Sequence, residues 1–449
     1  MVEYKAPKRE YEFILREVLD IERELAGYEN YEEATWDMIE MIADQYEEIG
    51  RDYWLSSNAE GDTVGATFDS GKVTISPGMK DAAKVVIESG LSSLFGHKKY
   101  GGMEFPNVIN TYTDELCCST NMSLGTLMGL TKGGYHCLHN YGSEELKDTY
   151  LPKFLNGEYF ATMCLTEAHC GTDLGLIRTK AIPDNEEFRV SGQKIFITAG
   201  EHDLSENIIH LVLAKLPGAP KGVKGISLFL VPKYIVNEDG TLGDRNGVNC
   251  VSIEEKMGVH GSATCVMSFE NAKGYLVGEE NMGWTIAKFL LGNERTGIAG
   301  VARSKKAVER LKDIASSEYI DGENLINDSD FNSKIADLEV DLTALEYTEL
   351  RTLAKESKGE GPGAESSILK IKGTEIQQRI TELTMEAVGH YSNPYLTPAF
   401  ERQGSNYLTI GPDYSHGVAQ NYFNTRKTSI YGGSNEIQKN IIAKMVLGL

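Results

Sequence analysis

The period of the hydrophobic pattern changes twice along this chain, and that change limits the architectures open to it. From Tyr4 to about Tyr159 the spacing is mostly helical. Trp36, Ile39, Ile42, Ala43, Tyr46 and Ile49 fall on one stripe, and Gly50 follows as a stop signal. Asp81 to Gly90 and Glu144 to Leu155 read as further helices. From about Thr162 to Glu280 the texture is that of short strands. Phe188–Thr198 alternates, Ile208–Leu213 and Gly225–Val231 are short apolar runs, and Cys250–Ile253 and Cys265–Phe269 resemble strands. Turn clusters at Pro183–Asn185, Pro217–Lys221 and Asn237–Gly240 separate them. From Trp284 the helical period returns, with long helices expected over Trp284–Ser317, Asp330–Lys358 and about Glu365–Gly389. Asp321–Asn327 is a polar link, and a last helix is expected after Gly433.

The order is therefore α, β, α. Segregated classes imply mixed α and β in separate units, not a doubly wound sheet. The expected domains are an all-α N-terminal domain over 1–160, a central β-barrel or sandwich over 161–281, and an all-α C-terminal helix bundle over 282–449. A Rossmann nucleotide site is excluded, and no GxGxxG occurs. A chain of 449 residues is too long for one core.

Charge and cysteine usage remove other classes. A net charge of –22 argues against a nucleic-acid surface, which needs a basic footprint. Seven cysteines, an odd number without CxxC, fit neither a disulfide framework nor a zinc knuckle, and are expected to be reduced and mostly structural. The nine histidines show no HExxH, so no metal is expected. No apolar run reaches the roughly 18–20 residues of a membrane span. The opening MVEYKAPKRE lacks the apolar core of a signal peptide. A cytoplasmic location is the expectation.

Four features could carry chemistry. Glu294 sits in an apolar helical stripe with Ala287, Leu290, Leu291, Ile298 and Val301, at Leu290+4 and Ile298–4. Partial desolvation there raises a carboxylate towards the range of a general base. An ion-paired structural glutamate fits the same pattern, and the residues alone leave both open. Gly297 and Gly300 allow another helix or a ligand to approach. Thr166–Asp173, TEAHCGTD, packs hydroxyls, a carboxylate and a glycine into a loop at the α-to-β boundary; it could hold a ligand or be a polar turn. Phe196 and Thr198 end the strand that follows, where edge packing also explains them. Tyr431–Gln438, YGGSNEIQ, sets paired glycines before Ser434 at a helix start, an anion or carbonyl site or a plain N-terminus.

Together, in this order, these motifs resemble the acyl-CoA dehydrogenase family. Cys164–Asp173 is similar to its first signature, Tyr431–Gln438 to its second, and Gly192-Gln-Lys-Ile-Phe-Ile-Thr198 to the strand along its flavin. Gly297-Ile-Ala-Gly300 follows an Asn-Glu-Arg step like that of members with a helix-borne base. The first 280 residues resemble the subgroup that includes 3-methylmercaptopropionyl-CoA dehydrogenase, without its extra C-terminal region. The C-terminal half is more like shorter bacterial members such as the pimeloyl-CoA type.

The resemblance implies a flavoprotein with FAD, oxidising an acyl-CoA thioester to the trans-2-enoyl-CoA and passing electrons to an electron-transfer flavoprotein. It implies that Leu165 and Thr166 face the flavin, with Thr166 at its N5/O4 edge. Phe196 stands where the family often has Trp, and Thr198 would contact the ring or ribityl chain. Ser434 and Glu436 match positions holding the adenosine and pyrophosphate, and Thr172 and Arg295 match the acyl-CoA channel. Two departures matter. Where many members carry the base in the second signature this chain has Gly432, which shifts the base to Glu294 and leaves the Gly432 N–H for the thioester oxygen. The Arg-x-x-Phe-Gly step that often grips the partner subunit's flavin is absent around Ser316–Gly322. An acyl-CoA oxidase, a flavin monooxygenase and a non-catalytic member share the fold. Family members are usually homodimers or homotetramers.

Overall fold

The computed structural model describes residues 4–289, 299–356, 358, 363, 366–394 and 410–449. They form two compact units, 1–287 and 288–449.

The first unit begins with helices. Helix α1 (Trp36–Ile49) buries Ile39, Ile42, Ala43, Tyr46 and Ile49, and the Thr35 hydroxyl caps it by accepting from the Met38 N–H at 3.4 Å. Gly50 does not stop the helix as its position suggested. The chain runs on through a π-turn at Gly50–Trp54 into α2 (Leu55–Val64). A Cβ on Gly50 would stand 3.0 Å from Tyr4 Cε1 and 3.1 Å from Thr120 Cγ2, so glycine serves close packing here rather than termination. Helices α3 (Pro77–Glu88), α4 (Asn107–Thr120), α5 (Met122–Tyr141) and α6 (Glu144–Leu155) follow.

Seven strands then build the sheet. They are β1 (Tyr159–Cys164), β2 (Lys180–Asp184), β3 (Glu187–Thr198), β4 (Asn207–Lys215), β5 (Ile226–Pro232), β6 (Val248–Ile253) and β7 (Thr264–Val277). The pairings β7–β3, β3–β2, β2–β4, β4–β5 and β5–β7 return to their start, so five strands close a ring. Closure removes the free edges of those strands, and of the barrel or sandwich expected it is the barrel that forms. Strand β1 adds parallel to β4 and β6 adds antiparallel to β7. Every residue of β5, and all but the last of β4, is buried, which explains their continuous rather than alternating apolar sequence. Helix α5 lies on β1, where the Thr131 hydroxyl accepts from the Ala161 N–H at 3.2 Å.

The second unit is helical. Residues 283–289 are helical across the boundary of the two units, but the single helix expected over Trp284–Ser317 does not form. Gly300 takes the left-handed conformation (φ 59°), which no helix continues through, and α7 (Val301–Ser317) starts after it. Helices α8 (Ser329–Glu356), α9 (Ser366–Val388), α10 (Val418–Thr425) and α11 (Asn435–Ile442) complete the unit. Its core includes Leu311, Phe331, Leu338, Leu369 and Leu383. Among the described residues no helix is long and apolar enough to cross a membrane, and all seven cysteines are free thiols.

Candidate functional site

The loop after β1 carries the first group of residues singled out above. Its backbone is held by a two-way bridge: the Glu167 N–H donates to the Cys170 carbonyl at 2.9 Å, and the Cys170 N–H returns to the Glu167 carbonyl at 3.0 Å. The loop lies along β3, where the Ile195 N–H donates to the Thr166 carbonyl at 2.9 Å. It also folds back on itself, since a Cβ on Gly171 would stand 2.9 Å from Thr166 Cγ2.

Underneath is a buried ion pair. Lys194 Nζ, with a side chain 0% exposed, donates to Glu167 Oε1 at 2.9 Å and to the Leu165 carbonyl at 2.9 Å. The Glu167 carboxylate also accepts from Thr179 Oγ1 (2.6 Å), the Thr179 N–H (3.0 Å) and the Arg178 N–H (2.7 Å). Burial alone pushes this carboxyl up. Lys194 and the hydrogen bonds outweigh it and hold it below the usual carboxylate range. Both Glu167 and Lys194 lie within motifs quoted from the sequence, but neither was given a role there. The available signal was a lysine in phase with Val190 on an alternating strand, hence a charge on a core position.

Strand β3 ends in a bulge. Ile197 faces Cys265 and Lys194 faces Met267, so Ile195 and Phe196 together oppose Val266. Phe196 adopts φ 60° and is 60% exposed. Without the bulge it would follow Lys194 towards the interior; with it the phenyl ring is turned out. Two residues on, Thr198 is half-buried, and its carbonyl accepts from Thr162 Oγ1 at 2.7 Å. Leu165, Thr166, Phe196 and Thr198 therefore share one rim of the barrel, with Thr172 exposed in the loop beside them. Among the described residues the half-buried Thr166 and Thr198 hydroxyls make no hydrogen bond.

In the second unit, Gly432 (φ 65°) and Gly433 (φ 82°) are both left-handed, a conformation that favours glycine. Ser434 occupies the N-cap position of α11, as its place in the sequence suggested, but its hydroxyl does not cap the first turn. Glu436 is exposed in that turn; a backbone N–H and then the Ser434 hydroxyl hold its carboxyl below the usual range. The loop is pinned from beneath by Lys370, which the sequence did not flag, and by Gln438 at the end of the motif itself. Buried Lys370 donates to Asn435 Oδ1 at 2.8 Å, and Gln438 Nε2 reaches the Gly432 and Gly433 carbonyls at 3.4 and 3.5 Å. Glu294 and Arg295 lie outside the described residues.

Comparison with known proteins gives the same picture over most of the chain. Models of the acyl-CoA dehydrogenase N-terminal, middle and C-terminal domains match residues 72–158, 162–272 and 281–447, in that order. The chain is 38% identical over 326 residues to 3-methylmercaptopropionyl-CoA dehydrogenase of Ruegeria pomeroyi, covering 71% of this chain and 55% of that one. It is 37% identical over 286 residues to a butyryl-CoA dehydrogenase of Syntrophomonas wolfei, covering 62% and 46%. The chain thus spans about half the length of these curated relatives. The solved structure of an acyl-CoA dehydrogenase from Geobacillus kaustophilus superimposes with a TM-score of 0.67 at 23% identity, over 92% of this chain and 99% of that one, and so shares the fold. With three domain models in register and the signature loop seated on a barrel rim, the chain belongs to the acyl-CoA dehydrogenase family.

Proposed function

We propose that this chain is an FAD-dependent acyl-CoA dehydrogenase, which oxidises the α,β bond of an acyl-CoA thioester to the trans-2-enoyl-CoA and passes the electrons to an electron-transfer flavoprotein. The observation that carries the reading is the barrel rim. An exposed phenyl ring and two hydroxyls that have no hydrogen-bond partner among the described residues lie beside a loop whose turn is held closed by the reciprocal Glu167–Cys170 backbone bonds. That donor set suits a flat ring with polar edges: Phe196 offers a face, and Thr166 and Thr198 offer hydrogen bonds to its rim. A bound flavin supplies the hydride acceptor that no side chain can provide.

The chain's own residues have the remaining tasks. Glu294 takes the α-proton on a carboxylate oxygen. The Gly432 N–H donates to the thioester oxygen as negative charge develops there, a preorganised contact that strengthens towards the transition state. Leu165 covers the ring beside Thr166. Thr172 and Arg295 line the path of the acyl-CoA, and Ser434 and Glu436 hold the adenosine and pyrophosphate end of the cofactor. Lys194 and Glu167 act through the loop they support and are positioning residues. A homodimer or homotetramer in the cytoplasm belongs to the same reading.

The test is Glu294→Gln. The variant is expected to purify yellow and to lose anaerobic bleaching by acyl-CoA by about 10²–10⁴-fold, the usual contribution of a general base. Wild-type bleaching rates in the variant would overturn the base assignment. A wild-type chain that takes up no flavin would overturn the enzyme reading, and peroxide release in air would redirect it to an oxidase.

A further inference from the structure

The flavin loop holds a second constellation that the dehydrogenation reading leaves unused. Among the described residues, Glu167, His169 and Cys170 are the group of metal-ligating side chains whose donor atoms all lie within 4.8 Å of one another. His169 Nε2 stands 3.6 Å from Cys170 Sγ and 3.7 Å from Glu167 Oε2. Bonds of about 2.0 Å to nitrogen and oxygen and 2.3 Å to sulfur around tetrahedral zinc set donor separations of about 3.3–3.5 Å. Two of the three edges therefore need to close by only a few tenths of an ångström.

The three donors are also preorganised. All come from one four-residue turn, and the reciprocal backbone bonds between Glu167 and Cys170 hold the turn closed. Lys194 and Thr179 occupy Glu167 Oε1, while Oε2 accepts one backbone N–H and keeps a lone pair facing His169. Thiolate, imidazole and a single carboxylate oxygen form a mixed soft donor set, suited to Zn²⁺ rather than to Mg²⁺ or Ca²⁺, which prefer all-oxygen shells. Cys170 is buried behind the turn and His169 is partly exposed at its surface, so an ion can enter past the imidazole and keep a fourth position for water. His169 Nε2 gives up its contact with the Leu176 carbonyl (3.0 Å) when it turns to a metal.

We propose that Glu167, His169 and Cys170 form a three-ligand site for Zn²⁺ on the loop that carries Leu165, Thr166 and Thr172. Binding requires loss of the Cys170 thiol proton to solvent and involves no redox change. Occupancy cross-links the turn from Glu167 to Cys170 and makes the position of Thr166 sensitive to zinc.

The experiment uses the reduced, metal-stripped chain of 449 residues, titrated with Zn²⁺ alone in competition with a chromophoric chelator. One equivalent is expected to bind, with affinity weakened about 100-fold or more in both His169→Ala and Cys170→Ala, since even the loss of an outer partner weakens metal sites by about 10–100-fold. Substitution by Co²⁺ is expected to give a thiolate-to-cobalt absorption in the near ultraviolet that is missing from Cys170→Ala. Zinc binding that either variant leaves at wild-type strength, or cobalt binding without the thiolate band, would overturn the proposal. Should Cys170→Ala not fold, the partly exposed His169 decides the question alone. Neither readout involves acyl-CoA turnover, so the site and the dehydrogenase reading fail independently.

Discussion

Phe196 is the residue in which backbone strain and the site coincide. A non-glycine residue in the left-handed region is disfavoured by about 1–2 kcal/mol, and a phenyl that is 60% exposed recovers only part of that by burial. Glycine removes the strain but adds chain entropy to the unfolded state, an opposing term of about 0.5–1 kcal/mol. Phe196→Gly is therefore expected to raise the stability of the flavin-free chain by about 0.5–1 kcal/mol in urea unfolding, while weakening flavin retention on gel filtration. A variant that loses stability would show that the ring supports the fold rather than a ligand. Beneath the same rim, Glu167→Gln leaves Lys194 buried without its counter-charge. A loss of about 3–5 kcal/mol is expected. The pH dependence follows from the direction of the Glu167 shift. Its folded-state carboxyl is held below the ordinary value, so its contribution is complete above the unfolded value of about 4.3 and is lost as pH falls through the folded one. The stability gap between wild type and Glu167→Gln should be constant from pH 7 to pH 5 and narrow below pH 4; a constant gap down to pH 3 would contradict this.

Elements meet here through small residues as much as through large ones. Helix α5 lies on β1 because Gly134 has no side chain: a Cβ there would enter the space of the Ala161 Cβ. The same approach lets Thr131 satisfy the Ala161 N–H. Gly134→Val should cost about 1–3 kcal/mol through overpacking. Gly129→Ala, on the same helix with nothing within 4 Å of the new Cβ, should gain up to about 1 kcal/mol from helix propensity. Equal effects in thermal unfolding would mean that the contact with β1 is not what selects Gly134. The ends of α6 and the start of α11 were legible in the sequence because capping and glycine signals are local. The break at Gly300 was not, because the apolar stripe runs across it and periodicity alone does not report a single left-handed residue.

At the scale of the whole molecule, a net charge of –22 is the dominant long-range term. Self-repulsion of that size is screened over about 10 Å at 0.1 M salt and over about 30 Å at 0.01 M. The melting temperature is therefore expected to rise as NaCl is increased from about 0.01 to 0.5 M, and a flat response would mean that the many surface ion pairs already balance the field. The changes of period, read from the sequence alone, established the α, β, α order, the approximate limits of several elements such as α1, α6, α8 and α9, and the two loops that mark the family, because each depends on neighbours a few residues apart; helices α4 and α5 were not read from it. Only the tertiary structure decided that five strands close into a ring, that Lys194 lies under the Glu167 loop, and that Phe196 faces outward. Those outcomes depend on pairing with β7 and β4, tens of residues away: one extra residue opposite Val266 reverses the side-chain phase of β3, and no pattern within β3 itself records it.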